Sequence, residues 1–372
     1  MTIKYVNLSK QWQKEKKFLL PRLISVLEKG HYVNGNEISK FEKKIAKICR
    51  KKYAVALNSG TDALTIALKL IGVKRNDEVI TPPNSFISST TSIWHIGAKP
   101  VFVDIKNDLN IDESKIERAI TKKTKAIMPV HLTGRICDMK KILKISKKYK
   151  IPIVEDAAQS IGSKYYNLPS GSFGDVSCFS AHPLKNLNAC GDAGFLVTNN
   201  FNYYTKALKM RNHGTENRNK VSEFGFISRM DTIQAAILNF RMKNLSFVIN
   251  ERRKNAKFYL KNINRNFYDL PFEKDYEHNS YHTFIIKTPL RDKLKKYLKK
   301  NGIETAIHYP IPIHLQPASK YLGYLKGSFP KAEKLCNEIL TIPINQHLTS
   351  SELKKIIFFL NKFAEINYEK KK

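Results

Sequence analysis

Three short segments of this chain combine residue types that could do chemistry together. The first, Asn58-Ser59-Gly60-Thr61-Asp62-Ala63-Leu64, follows an apolar run and opens a helical pattern. Small hydroxyl-bearing residues at a helix start leave backbone N–H groups free at the positive end of the helix dipole, an arrangement suited to a phosphate. Taken alone, Ser-Gly-Thr is also an ordinary helix cap. The second segment, Ile153-Val154-Glu155-Asp156-Ala157-Ala158-Gln159, is an apolar strand ending in a carboxylate, with an amide three residues on. A carboxylate at the C-terminal edge of a parallel strand faces the crevice where such sheets bind ligands. There Asp156 could keep a pyridine nitrogen protonated; by itself it is equally a helix cap. The third is Ser177-Cys178-Phe179-Ser180-Ala181-His182-Pro183-Leu184-Lys185-Asn186, followed by Gly191-Asp192-Ala193-Gly194. Here a strand runs into a confined loop with one lysine, and a desolvated lysine loses its proton readily enough to act as nucleophile and base. A single lysine carries little information in a chain this rich in them. The signal is the three segments in order.

The elements that must position these residues alternate in type. From about residue 39, amphipathic helical patterns alternate with short β-branched runs, the sequence form of a mostly parallel α/β sheet. The expected strands are 53–57, 78–81, 100–105, 126–131, 152–155, 176–180 and 195–198, seven in all. Helices near 62–71, 86–96, 112–120 and 138–149 supply the crossovers. The last three strands are joined by loops alone, so one of them is expected to run antiparallel. After residue 200 the pattern lengthens into helices at 201–211 and 230–262. A smaller α/β unit follows, with strands at 282–287 and 304–309 and helices at 291–301, 330–340 and 351–363. The division expected is a large domain over 1–240 and a smaller C-terminal one over 241–372.

With 372 residues, 42% of them hydrophobic and 10% aromatic, the chain has ample material for buried cores and does not read as disordered. Its 65 basic against 32 acidic residues give a net charge of +33, which raises nucleic-acid or anionic-membrane binding. The lysines, however, recur along predicted helices, as in Lys140-Lys141, Lys295-Lys296 and Lys354-Lys355, where they form solvated faces. No compact basic run interleaved with aromatics offers a strand-binding platform, and Lys370-Lys371-Lys372 reads as a tail. A positive field that attracts phosphorylated substrates remains compatible with an enzyme. Cys49, Cys137, Cys178, Cys190 and Cys336 are odd in number and lack CxxC spacing, so neither a disulfide framework nor a metal site is indicated. The opening residues carry no apolar leader pattern and no run is long enough for a membrane span, which makes a reduced cytoplasmic protein the expectation.

In order and spacing, the three segments resemble the DegT/StrS family of sugar aminotransferases. The likeness begins at Gly30-His31-Tyr32-Val33-Asn34-Gly35 and includes Pro82-Pro83-Asn84-Ser85-Phe86 and Ser228-Arg229-Met230-Asp231. It ends with His308-Tyr309-Pro310-Ile311-Pro312-Ile313-His314 and Leu340-Thr341-Ile342-Pro343-Ile344. The resemblance implies a fold-type-I aminotransferase, with a large domain built on a mostly parallel seven-stranded sheet and a smaller C-terminal α/β domain. It implies pyridoxal 5'-phosphate as cofactor, bound by Lys185 as a Schiff base. Asp156 would pair with the pyridine nitrogen, Gln159 would lie near the phenolic oxygen, Phe86 would stack on the ring, and Ser59, Gly60, Thr61 and Ser180 would hold the phosphate. His182, Arg229, His308, Tyr309 and His314 are candidates for substrate contact, with surface or interface packing as their alternative; His182 itself reads more as an orienting residue than a base.

One departure stands out. Many relatives place before the arginine an asparagine that reaches the neighbouring subunit's cofactor phosphate. Here that position is Ile227, which cannot donate a hydrogen bond, leaving Ser228 as its substitute. A homodimer with active sites at the interface is still implied. Some family members replace the lysine by histidine and act as dehydratases; Lys185 points instead to transamination, with L-glutamate as donor and a nucleotide-linked 3-keto or 4-keto 6-deoxyhexose as acceptor, for surface polysaccharide. The competing readings are an acceptor such as an octulosonate or another acidic keto sugar, a non-catalytic regulator on the same fold, and a basic nucleic-acid-binding protein.

Overall fold

The computed structural model describes residues 2–368, so the Lys370-Lys371-Lys372 tail lies outside the described residues. Its centre is a seven-stranded sheet of β1 (Tyr53–Leu57), β2 (Glu78–Thr81), β3 (Lys99–Phe102), β4 (Thr124–Ile127), β5 (Val154–Asp156), β6 (Val176–Ser180) and β7 (Gly194–Thr198). The order across it is β1-β7-β6-β5-β4-β2-β3. Two ladders, β1-β7-β6-β5 and β4-β2-β3, are joined by parallel bridges Ile127 to Ile153 and Val130 to Asp156. Only β7 runs against its neighbours, as expected from its loop-only connection to β6. The strands are buried on both faces, as a sheet covered by crossover helices requires.

Helix α3 (Gly60–Leu70) is apolar almost all round, and Ala63 through Leu68 are buried against the sheet. It starts where it does because Ser59 Oγ accepts the Asp62 N–H at 3.1 Å. Two helices precede the sheet, α1 (Leu8–Lys29) and α2 (Asn36–Ile48); α4 (Ser88–His95) follows β2 and α5 (Met139–Tyr149) follows β4. Helix α5 shows how the chain carries so much charge: Met139, Ile142 and Ile145 face inward while the lysines face water.

Beyond α6 (Phe201–Met210), the long helical pattern over 230–262 is two helices, α7 (Thr232–Lys243) and α8 (Leu245–Asn262). The break is at Asn244, whose backbone leaves helical geometry at φ −101°, ψ 4°. The C-terminal part pairs β8 (Phe284–Lys287) antiparallel with β9 (Ile339–Ile342). Two expectations are corrected here. The segment 304–309 is not a strand; it touches the sheet through a single bridge, Ala306 to Thr341. The expected helix over 330–340 stops earlier, as α10 (Pro330–Glu338) after α9 (Arg291–Lys300), and its apolar end becomes β9. A hydrophobic cluster around Tyr259, Phe284, Leu298 and Leu360 unites this region with α11 (Ser350–Tyr368) and with Ile3 from the other end of the chain.

Candidate active site

At the C-terminal edges of β5 and β6, where α3 begins, lies a cavity of about 270 Å³. Its walls include Ser59, Gly60, Thr61, Phe86, Asp156, Gln159, Ser180, His182, Lys185, His308 and Tyr309. Parallel strands and helix starts meet at such an edge, so one location collects both carboxylates and open N–H groups.

The phosphate-like corner is built by close packing. A Cβ on Gly60 would stand 2.8 Å from Ser180 Cβ and 3.1 Å from its Cα, so only glycine lets the helix start approach the end of β6. The hydroxyl of Thr61 is occupied, with Oγ1 donating to Ser88 Oγ at 2.8 Å. Ser59 Oγ and Ser180 Oγ each accept a backbone N–H and keep their own O–H to give, so these two hydroxyls and the backbone N–H groups of Gly60 and Thr61 are the donors this corner offers an anion.

Asp156 is 4% exposed, with Oδ2 accepting from Ser89 Oγ at 2.7 Å and Oδ1 accepting from the Ala158 N–H at 3.2 Å. Burial raises its proton affinity above the carboxylate norm, although Ser89, Ala158 and Lys185 each pull the other way. Its neighbour Glu155 points to the opposite face and does different work. It receives the N–H groups of Gly171 at 3.1 Å, Phe173 at 2.8 Å and Gly174 at 2.5 Å, Ser177 Oγ at 2.7 Å and His131 Nε2 at 3.0 Å. Burial pushes its carboxyl up, but the bonds from His131, Gly174 and Ser177 outweigh it and hold it down to about 2. Because the Cys137 N–H points at His131 Nδ1, the imidazole carries its proton on Nε2 and donates to Glu155.

Lys185 sits in the loop between β6 and β7. That loop is closed by Ala181 N–H to Ala193 at 2.8 Å and Ala189 N–H to Ala181 at 2.7 Å, and Asn186 Nδ2 ties it to Ser280 at 3.2 Å. Burial lowers the Lys185 amine from 10.5 to about 8, with Asp156 opposing. Gln159 uses Oε1 to accept the Thr133 N–H at 2.9 Å and one Nε2 hydrogen to reach Tyr309 at 3.2 Å, leaving its second hydrogen for the cavity. Phe86 is 55% exposed at the mouth, its ring 5.8 Å from that of Tyr309.

His308 is fixed by Thr341 at 2.9 Å, and burial with Lys185 nearby lowers it to about 4. His182 accepts the Leu184 N–H on Nδ1 and so helps shape the lysine loop. Two candidates lie elsewhere. His314 is 2% exposed and bonded to Glu333 at 3.0 Å, where it braces the start of α10. Arg229 does not line this cavity and reaches Asn212 at 3.1 Å. Ile227 is 63% exposed, whereas Ser228 is fully buried and donates to Asn58 within its own chain at 3.1 Å.

Sequence reasoning missed Tyr5, Ser89 and His282, all of which line the cavity. Ser89 lies three residues beyond the Pro82–Phe86 segment. Tyr5 arrives from the chain start by way of an Ile3 to Ile303 bridge, and His282 is buried with no partner for Nδ1; neither leaves a local signal.

A family model described as the DegT/DnrJ/EryC1/StrS aminotransferase family matches residues 13–361. Among curated relatives, a pleiotropic regulatory protein of Geobacillus stearothermophilus is 38% identical, covering 98% of this chain and 100% of the relative. A dTDP-3-amino-3,6-dideoxy-alpha-D-galactopyranose transaminase of Aneurinibacillus thermoaerophilus is 37% identical, covering 98% and 99%. Among solved structures, that of S. venezuelae DesV in complex with a ketimine intermediate superposes with a TM-score of 0.96 at 33% identity, covering 98% of this chain and 99% of the other.

Proposed function

Because the chain belongs to the DegT/DnrJ/EryC1/StrS aminotransferase family, we propose that it moves an amino group from L-glutamate to a nucleotide-linked keto sugar, with pyridoxal phosphate as cofactor. The acceptor is a 3-keto or 4-keto 6-deoxyhexose for surface polysaccharide, and the setting is the cytoplasm. The observation that carries this reading is the convergence of Lys185, Asp156 and the open start of α3 on one cavity. The similarity to the dTDP-sugar transaminase of Aneurinibacillus thermoaerophilus supports the substrate class.

The cofactor fits the residues present: an uncapped pair of N–H groups and two hydroxyls for its phosphate, a carboxylate for its ring nitrogen, an aromatic face and a lysine. When bound it supplies an electron sink conjugated to the substrate nitrogen. The chain does the rest. Ser59, Gly60, Thr61 and Ser180 would anchor the phosphate, Phe86 would cover the ring, and the free Gln159 hydrogen would meet the phenolic oxygen. Asp156 keeps a proton on the ring nitrogen; the positive partner offsets the burial that otherwise raises its carboxyl. Lys185 Nζ would hold the cofactor between turnovers and, once free, would carry a proton from the donor carbon to the cofactor within the first half of the reaction and from the cofactor to the acceptor carbon within the second. An amine lowered to about 8 has a usable neutral fraction near pH 7.

His182, His308 and Tyr309 form the wall against which the sugar lies. The protein works as a homodimer with its active sites at the interface, and Arg229 contacts substrate only across that interface; Ile227 leaves the cross-subunit phosphate contact unmade. The regulatory name of the Geobacillus relative supplies a second reading, a non-catalytic regulator. Incubating the aminated protein with dTDP- and UDP-linked 3-keto and 4-keto hexoses, and with an acidic octulosonate-type keto sugar, tests the acceptor by mass spectrometry. Amination of a nucleotide-linked sugar is expected. Amination of the acidic sugar alone overturns the acceptor, and amination of none favours the regulator.

A further inference from the structure

We propose that Tyr5 and His282 are specificity-determining residues of the cofactor cavity: with His308 they form a hydrogen-bonding face for the ring hydroxyls of the acceptor sugar. The inference deepens the proposed function and rests on its sugar acceptor. Both residues line the cavity, as His308 does, and the parts given to phosphate, ring and Schiff base use neither. Each is held by bonds from distant segments. The Tyr5 N–H donates to Glu304 Oε2 at 3.0 Å and its carbonyl accepts from Asn345 Nδ2 at 3.1 Å, which sets its ring 5.8 Å from that of His308. On either side of His282, the Ser280 and Thr283 N–H groups donate to the carbonyls of Gly134 at 3.0 Å and Thr133 at 3.3 Å. Arg252 Nη1 donates to the carbonyls of Tyr281 and His282, at 3.1 Å each. His282 is therefore clamped between α8 and the segment that holds Gln159.

The polar atoms of this face are unspent. Among the described residues the Tyr5 hydroxyl, His282 Nε2 and His308 Nε2 make no hydrogen bond, yet none of the three is sealed off; in these side chains only His282 Nδ1 is both buried and unpaired. The space their residues line is the cofactor cavity. All three groups are also uncharged near neutral pH. Burial, with Lys185 and the Arg252 guanidinium close by, pushes His282 well below the usual imidazole range, and burial raises the Tyr5 phenol; His308 is held at about 4. An uncharged imidazole or phenol pairs with a hydroxyl whichever of the two gives the proton. A carboxylate only accepts, and these groups supply no counter-charge against its burial. The face therefore favours a polyhydroxylated sugar over the dicarboxylic donor that enters the same cavity in the other half of the reaction.

The test compares amines that can each pass an amino group to the cofactor-loaded protein: L-glutamate, a dTDP-linked 3-amino-3,6-dideoxyhexose and its 4-amino-4,6-dideoxy counterpart. Single-turnover rates at limiting amine are read in a stopped-flow spectrometer from the visible cofactor band. In His282→Leu and in Tyr5→Phe the ratio of amino-sugar rate to L-glutamate rate is expected to fall about 2- to 10-fold, the size of one lost neutral hydrogen bond. His282→Gln, which keeps a polar group that both donates and accepts, is expected to recover most of the ratio. Tyr5→Phe removes one oxygen only, so it decides the matter if His282→Leu no longer takes up the cofactor. Wild-type ratios in both variants, including equal slowing with every amine, overturn the proposal, and a fall in one variant alone overturns the part given to the other residue. A wild type that reacts with L-glutamate and with neither amino sugar overturns the sugar acceptor, and this face with it.

Discussion

The lowered proton affinity of Lys185 leads to a quantitative expectation for how the cofactor-free protein captures its cofactor as pH is varied. Only the neutral amine attacks an aldehyde. With the amine lowered from 10.5 to about 8, roughly one molecule in ten is neutral at pH 7, against about one in 3,000 for an ordinary lysine, a gain of about 300-fold. Mixing cofactor-free protein with pyridoxal phosphate in a stopped-flow spectrometer from pH 6 to 10, the capture rate should climb about tenfold per pH unit and flatten near pH 8. Asp156 favours the charged amine, so Asp156→Asn should flatten at lower pH than wild type. A rate that keeps climbing at the same slope through pH 10 would refute the claim that burial has set this amine.

Further expectations concern the surrounding shell. Gly60→Ala places a methyl 2.8 Å from Ser180 Cβ; overpacking of this kind costs about 1–3 kcal/mol, so cofactor affinity measured by dialysis should fall about 5- to 150-fold, and an unchanged affinity would count against the cradle. Ser89→Ala removes a bond that holds the Asp156 carboxyl down, so the acid limb of the L-glutamate half-reaction should move to higher pH; an unmoved limb would deny Ser89 this part. Glu155→Gln replaces an acceptor of three backbone N–H groups with a group that donates, at a cost of about 3 kcal/mol in urea denaturation at pH 7. With a folded value near 2 against the usual 4.5, the Glu155 contribution is complete above pH 4.5 and is lost as pH falls toward 2. The difference between wild type and variant should therefore shrink across that window.

The parts of this molecule that were legible in the sequence are those whose cause is local. β1, β2 and β6 begin and end where apolar β-branched runs meet polar turns, and their bounds match the sequence reading. One antiparallel strand was expected because the last strands are joined by loops with no crossover helix, and β7 is that strand. Lys185, Asp156 and the Ser59-Gly60-Thr61 turn were visible because strand ends and helix starts bring their own chemistry. What failed has non-local causes. The apolar period runs unbroken through Asn244, so nothing in the pattern marks the break between α7 and α8. Ile339 and Leu340 read as the end of a helix until the pairing of Ile339–Ile342 with Phe284–Lys287 makes them strand. The 304–309 segment has strand composition, yet only Ala306 finds a partner, and His308 and Tyr309 turn into the cavity instead. His314 shared a motif with them, but Glu333 holds it elsewhere. Tyr5 meets His308 across three hundred residues of chain, ring to ring at 5.8 Å, and no periodicity announces that.

The most direct measurement is the absorbance spectrum of the cofactor-loaded protein before and after L-glutamate, with Lys185→Ala alongside. The account predicts a band near roughly 410–430 nm in the wild type that moves toward about 330 nm on adding the donor, and no such band or movement in the variant. A wild-type protein that stays colourless after incubation with pyridoxal phosphate, or a variant that behaves like it, would contradict the assignment of Lys185 as the residue on which the chemistry turns.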